Sequence, residues 1–391
     1  MHVHLLHKHK PPIHTAKQDQ TVFEELANEN EQFLTRQLIT YLGNKRSLLD
    51  FIGKAVEKVK KKLNKPKLDM FDVFSGSGVV SRYFKQHADK LVVNDIEKYT
   101  AVINRCYLSN KNELNLFELE SYYDDLLKHI ESEPLRSGIV RELYAPEDEA
   151  NIQVDDRVFY TVRNAMYIDT MRQLIGTLPK EVQHFFLAPL LSEVSVHSNT
   201  SGVFKGFYKN KETKIGQFGG KNQDALLRIK GEINLSFPIF SNFTSEVFVH
   251  NTDSNNLIKE LPEVDIAYLD PPYNQHPYGS NYFMLNLVLE NKYPESTSKI
   301  SGIPDNWNRS PYNKPQQSYE ALKDLVENIK AKYVLISFNS EGFIKLDTMK
   351  EMLNKIGKVD VLETSYNTFR GCRNLRNREI HVSEYLYLLE K

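Results

Sequence analysis

A short apolar strand that runs straight into two glycines limits this chain more than any other feature. Residues 68–74 read as the strand, Ser75-Gly76-Ser77-Gly78 breaks it, and a helical pattern follows over 79–86. Glycines at a strand-to-helix turn let backbone approach a ligand closely and leave N–H groups exposed at the helix start. About 20 residues later a second strand, over 90–93, closes with Asn94-Asp95. A carboxylate at that place can accept hydrogen bonds from ribose hydroxyls, so turn and acid together point to an adenosine-containing cofactor. The dinucleotide fingerprint asks for a third glycine, and here it is missing. Taken without the acid, the same glycines are explained by a structural turn.

The strand-helix alternation continues along the chain. Further strands are predicted over 247–250, 265–269, 333–338, 359–364 and 384–389, with helical patterns near 318–330 and 343–356. Such alternation builds an α/β fold, a mostly parallel sheet with helices on both faces. It is interrupted once, by a long, polar and mainly helical stretch. In the second half of that stretch Gly202, Gly206, Gly216, Gly219 and Gly220 mark irregular loops. The chain therefore divides into a flexible N-terminal tail over 1–34, a sheet domain made of 35–110 and 246–391, and an insertion over 111–245. The tail carries His7, His9 and His14 among lysines and prolines. Metal binding is one reading of these histidines and a mobile polar tail the other; no Cys, Asp or Glu stands nearby at ligand spacing.

Bulk composition excludes little. The 391 residues carry a net charge of -1, with 40% apolar and 26% charged residues, ordinary values for a globular chain. No run approaches the roughly 20 apolar residues of a membrane span, and the N-terminus lacks the apolar core of a signal peptide. Cys106 and Cys372 cannot build a disulfide framework or a cysteine-rich zinc site, so a reducing cytoplasm is the default setting. The near-zero net charge hides strong sorting, however. Residues 112–150 hold eleven acidic and three basic side chains, whereas 201–230 hold seven basic and two acidic. Four arginines stand against Glu379 over 364–380. Lys205 and Lys209 in the first basic segment, and Arg370 and Arg373 between the last two strands, are candidate phosphate contacts. Solvated loops of the same composition are the alternative.

The sharpest motif is Asp270-Pro271-Pro272-Tyr273, directly after the apolar run Ile266-Ala267-Tyr268-Leu269. Two consecutive prolines fix the backbone and remove two N–H donors, so the turn offers acceptors to whatever sits above the sheet. In open α/β sheets ligands bind at this carboxyl edge of the strands. An exocyclic amino group presents two N–H donors and a lone pair spread into its ring. Asp270 and the Pro271 carbonyl can take both hydrogens and localise the lone pair towards an electrophile, while Tyr273 stacks on the ring. A rigid strand-end turn is the competing explanation.

With these residues in place, the sequence resembles the D12, or alpha, class of N6-adenine DNA methyltransferases. Four blocks match in order: Tyr41-Leu42-Gly43-Asn44-Lys45-Arg46, residues 72–78, Asn94-Asp95, and residues 270–273. Asn199-Thr200-Ser201-Gly202-Val203-Phe204 is similar to the FokI-type branch. The resemblance implies a Rossmann-like S-adenosyl-L-methionine-dependent methyltransferase sheet, with residues 111–245 as a mainly helical target-recognition domain. It implies that Tyr41 and Lys45 line the cofactor pocket, that Phe74, Ser75, Gly76 and Gly78 surround the methionine part, and that Asp95 meets the ribose. Asp253 would contact the cofactor adenine, unless it is a plain helix N-cap. Asp270, Pro271, Pro272 and Tyr273 are the implied catalytic residues.

The implied activity is methylation of adenine N6 in double-stranded DNA, with the base flipped out and the methyl passed directly to the amine. A bacterial cytoplasmic location, a monomer, and a partner restriction endonuclease are further expectations from the resemblance. Neither cysteine has the Pro-Cys context of a covalent cytosine C5 mechanism, and no Cys, His or Asp cluster calls for a metal. Residues 275–282 extend the catalytic turn and either close over the base or form a structural loop. Cytosine-N4 or RNA adenine methylation, or a catalytically silent DNA-binding protein, are the rival functions.

Overall fold

The computed structural model describes residues 28–220, 223, 225–367 and 381–391. Most of the expected tail lies outside these residues; within its last residues Phe33 is buried, and the Glu29 carboxylate accepts from Ser241 Oγ and from the Asn242 N–H. An apolar ring that finds a core and a carboxylate that finds two donors hold this stretch down.

Seven strands form one sheet. In chain order they are β1 (Leu68–Asp72), β2 (Ala88–Asn94), β3 (Glu246–His250), β4 (Val264–Leu269), β5 (Ala331–Asn339), β6 (Lys358–Asn367) and β7 (His381–Glu390). Their spatial order is β3-β2-β1-β4-β5-β7-β6. The first five run parallel, whereas β7 lies antiparallel to β5 and to β6. Up to β5 this is the doubly wound arrangement, and the strand order reverses between β1 and β4. Asp72 pairs with Tyr268 across that reversal. The turns leaving β1 and β4 therefore open side by side.

Period-two alternation explains the layers. Met70, Leu91, Val93, Ile266, Tyr268, Leu335, Leu386 and Leu388 face the helices Leu49–Leu63 and Val79–Phe84 through Ile52, Val56, Val59 and Phe84. Phe71, Val92, Ala267, Leu269, Val334 and Ile336 face the opposite way, onto Leu322, Leu325 and Val326 of helix Pro315–Asn328 and Met349, Met352 and Leu353 of helix Leu346–Asn354. This is a mixed α/β sheet of Rossmann-like methyltransferase type with helices on both faces and helical insertions. Among the described residues no helix is long and apolar enough to cross a membrane.

The main insertion contributes helices Leu116–Ser132, Ile139–Tyr144, Val162–Ile175 and Lys180–Val196. Their apolar residues, Ile168, Phe186 and Leu190 among them, share a core with Tyr107 of helix Lys98–Tyr107 and with Met284 and Leu285 of helix Phe283–Glu290. After Val196 the chain becomes irregular, as the glycines predicted, and a buried asparagine organises it. Asn199 Nδ2 donates to the carbonyls of Val158 and Gln217, and its Oδ1 accepts from the Gly219 N–H. Three buried backbone groups depend on one side chain. Asn199→Ala is therefore expected to cost about 3 kcal/mol, at roughly 1 kcal/mol or more per orphaned group. Chemical denaturation checks this, and a loss under about 1 kcal/mol would mean that water replaces the amide.

Candidate active site

The glycine turn owes its shape to close neighbours. Gly76 and Gly78 hold φ of +50° and +75°, where an L side chain is strained, and neither has room for a Cβ. At Gly76 a Cβ would lie 2.8 Å from Tyr41 Cε1, and at Gly78 2.6 Å from Asn104 Oδ1. Asn104 in turn donates to Ser75 Oγ at 2.9 Å. β1 leaves the sheet at Asp72, two residues earlier than expected, because Val73 and Phe74 already belong to the turn. The Val73 N–H still bonds the Tyr268 carbonyl, which keeps the turn beside β4.

The second strand end is fastened to the first and to the third. Asn94 Nδ2 donates to the carbonyls of Val73 and Thr252, and Asn94 Oδ1 accepts from the Thr252 N–H. Asp95 Oδ2 accepts from the Gly76 N–H at 2.8 Å and Oδ1 from the Glu97 N–H at 2.9 Å. Of the acid expected at the ribose, Oδ2 thus braces the glycine turn and Oδ1 the start of helix Lys98–Tyr107. Beside it Glu97 takes 2.7 Å from Asn286 Nδ2. Asp253 accepts from the Asn256 N–H at 3.1 Å, the N-cap arrangement, and its side also borders the cleft described next.

One cleft of about 900 Å³, open to solvent, unites these elements. Tyr41, Lys45, Phe74, Ser75, Gly76, Asp95, Asp253, Asp270 and Pro272, all singled out from sequence, line it together. Gly78 sits behind the wall against Asn104, and Pro271 is buried beneath the turn. Tyr273 stands at the margin, half-buried, with its ring edge-on to Phe338 at 5.6 Å and Lys45 Nζ 5.5 Å from its centroid. Tyr41 stacks on Tyr278 and on Tyr282 at 4.9 and 4.8 Å between centroids. Tyr278 also donates to the Leu42 carbonyl, and Tyr282 Oη accepts from the Leu42 N–H. Within the segment 275–282, residues 278 and 282 therefore clamp the N-terminal motif, while Gln275 and His276 are exposed.

The two basic segments fare differently. Lys205 is exposed, and its charge, after burial, holds the His276 imidazole below its usual pKa, so it lies near the catalytic turn. Lys209 rests over the Phe207 ring at 4.7 Å. The Phe204 N–H bonds the Asn281 carbonyl at 2.7 Å, which draws this loop towards the site. Arg370 and Arg373 lie outside the described residues.

Several residues of the site escaped sequence reasoning. Glu384, almost fully buried on β7, accepts from Lys45 Nζ at 2.7 Å and from Ser337 Oγ at 2.5 Å. The signal was there: Glu384 shares its strand face with Leu386 and Leu388, so it is a charge in a buried stripe. Lys45 Nζ also lies 3.2 Å from Asp270 Oδ1, an ion pair. Asn308, Ser310 and Tyr312 reach the cleft from a loop without any recognisable pattern, and Phe74 meets Tyr312 edge-on at 5.1 Å.

Burial dominates the electrostatics. It pushes Asp270 up to about 7 against the pull of Lys45, with Glu384 adding to the rise. Asp72 is likewise pushed up to about 7 by burial, opposed by a Ser81 hydrogen bond and assisted by Asp270. Glu97 rises to about 7 and Asp95 to about 6, burial again leading. For Lys45, burial alone would depress the ammonium, but Asp270 and Glu384 outweigh it and hold it well above its ordinary value.

The residues present fit an S-adenosyl-L-methionine molecule. Its sulfonium and ammonium charges suit an acidic cleft, the buried Asp72 Oδ1 has no hydrogen-bond partner, the glycine turn brings bare backbone to the cleft wall, and Phe74 and Tyr312 offer apolar walls for a flat base.

Comparison with known proteins agrees with this geometry. The D12 class N6 adenine-specific DNA methyltransferase family matches residues 41–352. The chain is 27% identical over 361 residues to the type II methyltransferase M.NlaIII of Neisseria lactamica, covering 90% of this chain and 99% of that protein. It is 29% identical over 360 residues to M.CviAII of Paramecium bursaria Chlorella virus 1, covering 90% and 98%. It also matches modification methylase StsI of Streptococcus sanguinis, 27% identical over 90% of this chain but only 52% of that longer protein.

The raised acids set a pH dependence for the ligand-free protein. Their folded pKa values exceed the unfolded ones, so the folded state binds protons more tightly between about 4 and 7. Their contribution therefore weakens stability as pH rises through that window and levels off above it. Asp72→Asn is expected to stabilise the ligand-free fold at pH 8 by on the order of 1–3 kcal/mol, seen as a raised melting temperature, and to flatten the decline. Equal melting of variant and wild type at pH 8 would contradict the assignment.

Proposed function

Because the chain belongs to the D12 class of N6 adenine-specific DNA methyltransferases, we propose that it methylates a specific duplex site by flipping the target adenine into the cleft beside Asp270. The activity itself, S-adenosyl-L-methionine-dependent methylation of adenine N6 in DNA, follows from the family. One observation supports the finer reading above others. The Asp270 carboxylate, ion-paired to Lys45 through Oδ1 yet still partly exposed, stands at the end of β4 in the same cleft as the glycine turn of β1. A partly exposed carboxylate at a strand end keeps acceptor capacity for a ligand donor.

When bound, S-adenosyl-L-methionine supplies a methyl group on a sulfonium, already activated for transfer to a nitrogen lone pair. Tyr41, Phe74, Ser75 and Gly76 would hold its methionine side, and Asp95, braced on the turn, its ribose. Asp253 would hold its adenine from the N-cap of helix Ser254–Leu257. Lys45 belongs with the reacting end of the cleft, since its ammonium lies against Asp270. Asp270 and the Pro271 carbonyl accept the two hydrogens of the target amine, which draws the nitrogen lone pair out of the ring. As the amine gains the methyl, it sheds one proton, and a carboxylate held near neutrality is suited to receive it. Pro272 stiffens the turn, and Tyr273 gives the flipped base a face to stack on. Stacking and phosphate contacts offset the few kcal/mol that unpairing costs.

Residues 111–245 are proposed as the segment that reads the DNA, with Lys205 and Lys209 on phosphates; Arg370 and Arg373 are candidates for the same duty. The names of M.NlaIII and StsI support a place in a restriction-modification system, with a cognate endonuclease as partner; a monomer is proposed from the family resemblance. Transfer of tritiated methyl to duplex DNA is expected, falling with rising salt as phosphate contacts weaken. Asp270→Ala should lower the rate by about 1,000-fold while the cofactor still binds. A variant that labels DNA at the wild-type rate would remove Asp270 from the mechanism.

A further inference from the structure

We infer that Glu384 is a positioning residue for the reaction: it draws the Lys45 ammonium towards itself and weakens its hold on Asp270, so that the Asp270 carboxylate stays a strong acceptor for the target amine. The inference rests on the function proposed above and adds a residue outside the four matching sequence blocks. Three segments far apart in the chain meet here, the loop after Tyr41, the turn after β4, and β7. Lys45 is the sole cation lining the cleft among the described residues. Its Nζ donates to Glu384 Oε1 at 2.7 Å and lies further from Asp270, 3.2 Å from Oδ1, so the ammonium is shared between two carboxylates with Glu384 the nearer. Ser337 Oγ donates to the same Glu384 oxygen and fixes the carboxylate on the sheet.

Chemistry explains why such an arrangement is kept. A buried ammonium that faced Asp270 alone would aim its donors at that one carboxylate and lower its basicity. A second carboxylate, better placed, takes the ammonium's proton donors yet leaves its charge within reach of Asp270. The remaining Glu384 oxygen is buried with no partner, a cost that packing alone does not justify. The other titratable groups facing Asp270 are Asp72 on β1, Tyr268 on β4, Tyr278 beyond the turn, and Tyr273 beside Lys45. None of them binds Lys45 as Glu384 does.

The test follows the Asp270 carboxyl directly, by carbon-13 NMR titration of the full chain labelled at aspartate, with Asp270→Asn to assign the signal. In Glu384→Gln the repulsion is gone and Lys45 is free to close on Asp270, so the midpoint is expected to move down by about one unit or more. In Lys45→Met the attraction is gone, and the midpoint is expected to move up. Generalised loosening would move both the same way, towards an ordinary carboxylate. In single-turnover methylation Glu384→Gln should lower kcat about tenfold with KM for DNA unchanged, and adding Lys45→Met should restore part of it. A midpoint unmoved in Glu384→Gln, or shifted in the same direction by both changes, overturns the inference. A wild-type chain that leaves duplex DNA unlabelled overturns instead the functional reading beneath it.

Discussion

An excess of negative charge in a space with little water is the constraint that organises this molecule. Asp72, Asp95, Glu97, Asp253 and Asp270 line the cleft with a single lysine. Bringing carboxylates together in a low dielectric is unfavourable, and each must be neutralised, bonded or protonated. The structure uses all three answers. Asp95 is bonded by two backbone N–H groups, Asp253 by a helix start, and Asp270 is opposed by Lys45, while Asp72 and Glu97 rise towards neutrality. What remains without a hydrogen-bond partner on this side is Asp72 Oδ1, beneath the glycine turn.

That this cleft was largely legible in the sequence has a physical reason. Its walls are strand ends, and strand ends announce themselves through an apolar run followed by a residue that cannot continue it: Gly76 after β1, Asp95 after β2, the prolines after β4. The register of β1 on β4 then follows from the handedness of the crossovers, which leaves few ways to order parallel strands. Strand boundaries were less legible, because hydrogen bonding rather than hydropathy decides them. β6 and β7 extend to Asn367 and His381, well past their apolar centres, since the two pair with each other in an antiparallel ladder.

Residues contributed by loops and by the far side of the sheet were not legible. Tyr312 and Asn308 reach the cleft only because their loop folds back over it, and no local pattern encodes that path. Charge counting also overstated the basic surface. Arg228, one of the seven basic residues between 201 and 230, donates to the carbonyls of Val196, Ser198 and Thr200 and caps helix Lys180–Val196. Lys230 lies over Phe218 at 5.4 Å. A cation that satisfies orphan carbonyls at a helix end is committed to the fold. Local net charge reads the same whether a basic side chain serves solvent, phosphate or its own backbone.

The same irregular segment explains how an insertion far away in sequence can matter to the cleft. Thr40, next to Tyr41, gives its N–H to Ser195 Oγ at 2.9 Å, and Gly202 approaches Thr40 so closely that a Cβ would stand 3.3 Å from its methyl. Phe204 is tied to Asn281, within the segment that clamps Tyr41. The stacked tyrosines are thus held from one side by the catalytic turn and from the other by the end of the insertion. Close-packed contacts of this kind transmit displacement, because a ring wedged between two others cannot shift without moving them. If the insertion reads the DNA, its engagement has a short route to Tyr41 and hence to Gly76, whose position fixes the cofactor side of the cleft. Insertion and sheet helices share one apolar core here, so the route is a packed contact and not a linker.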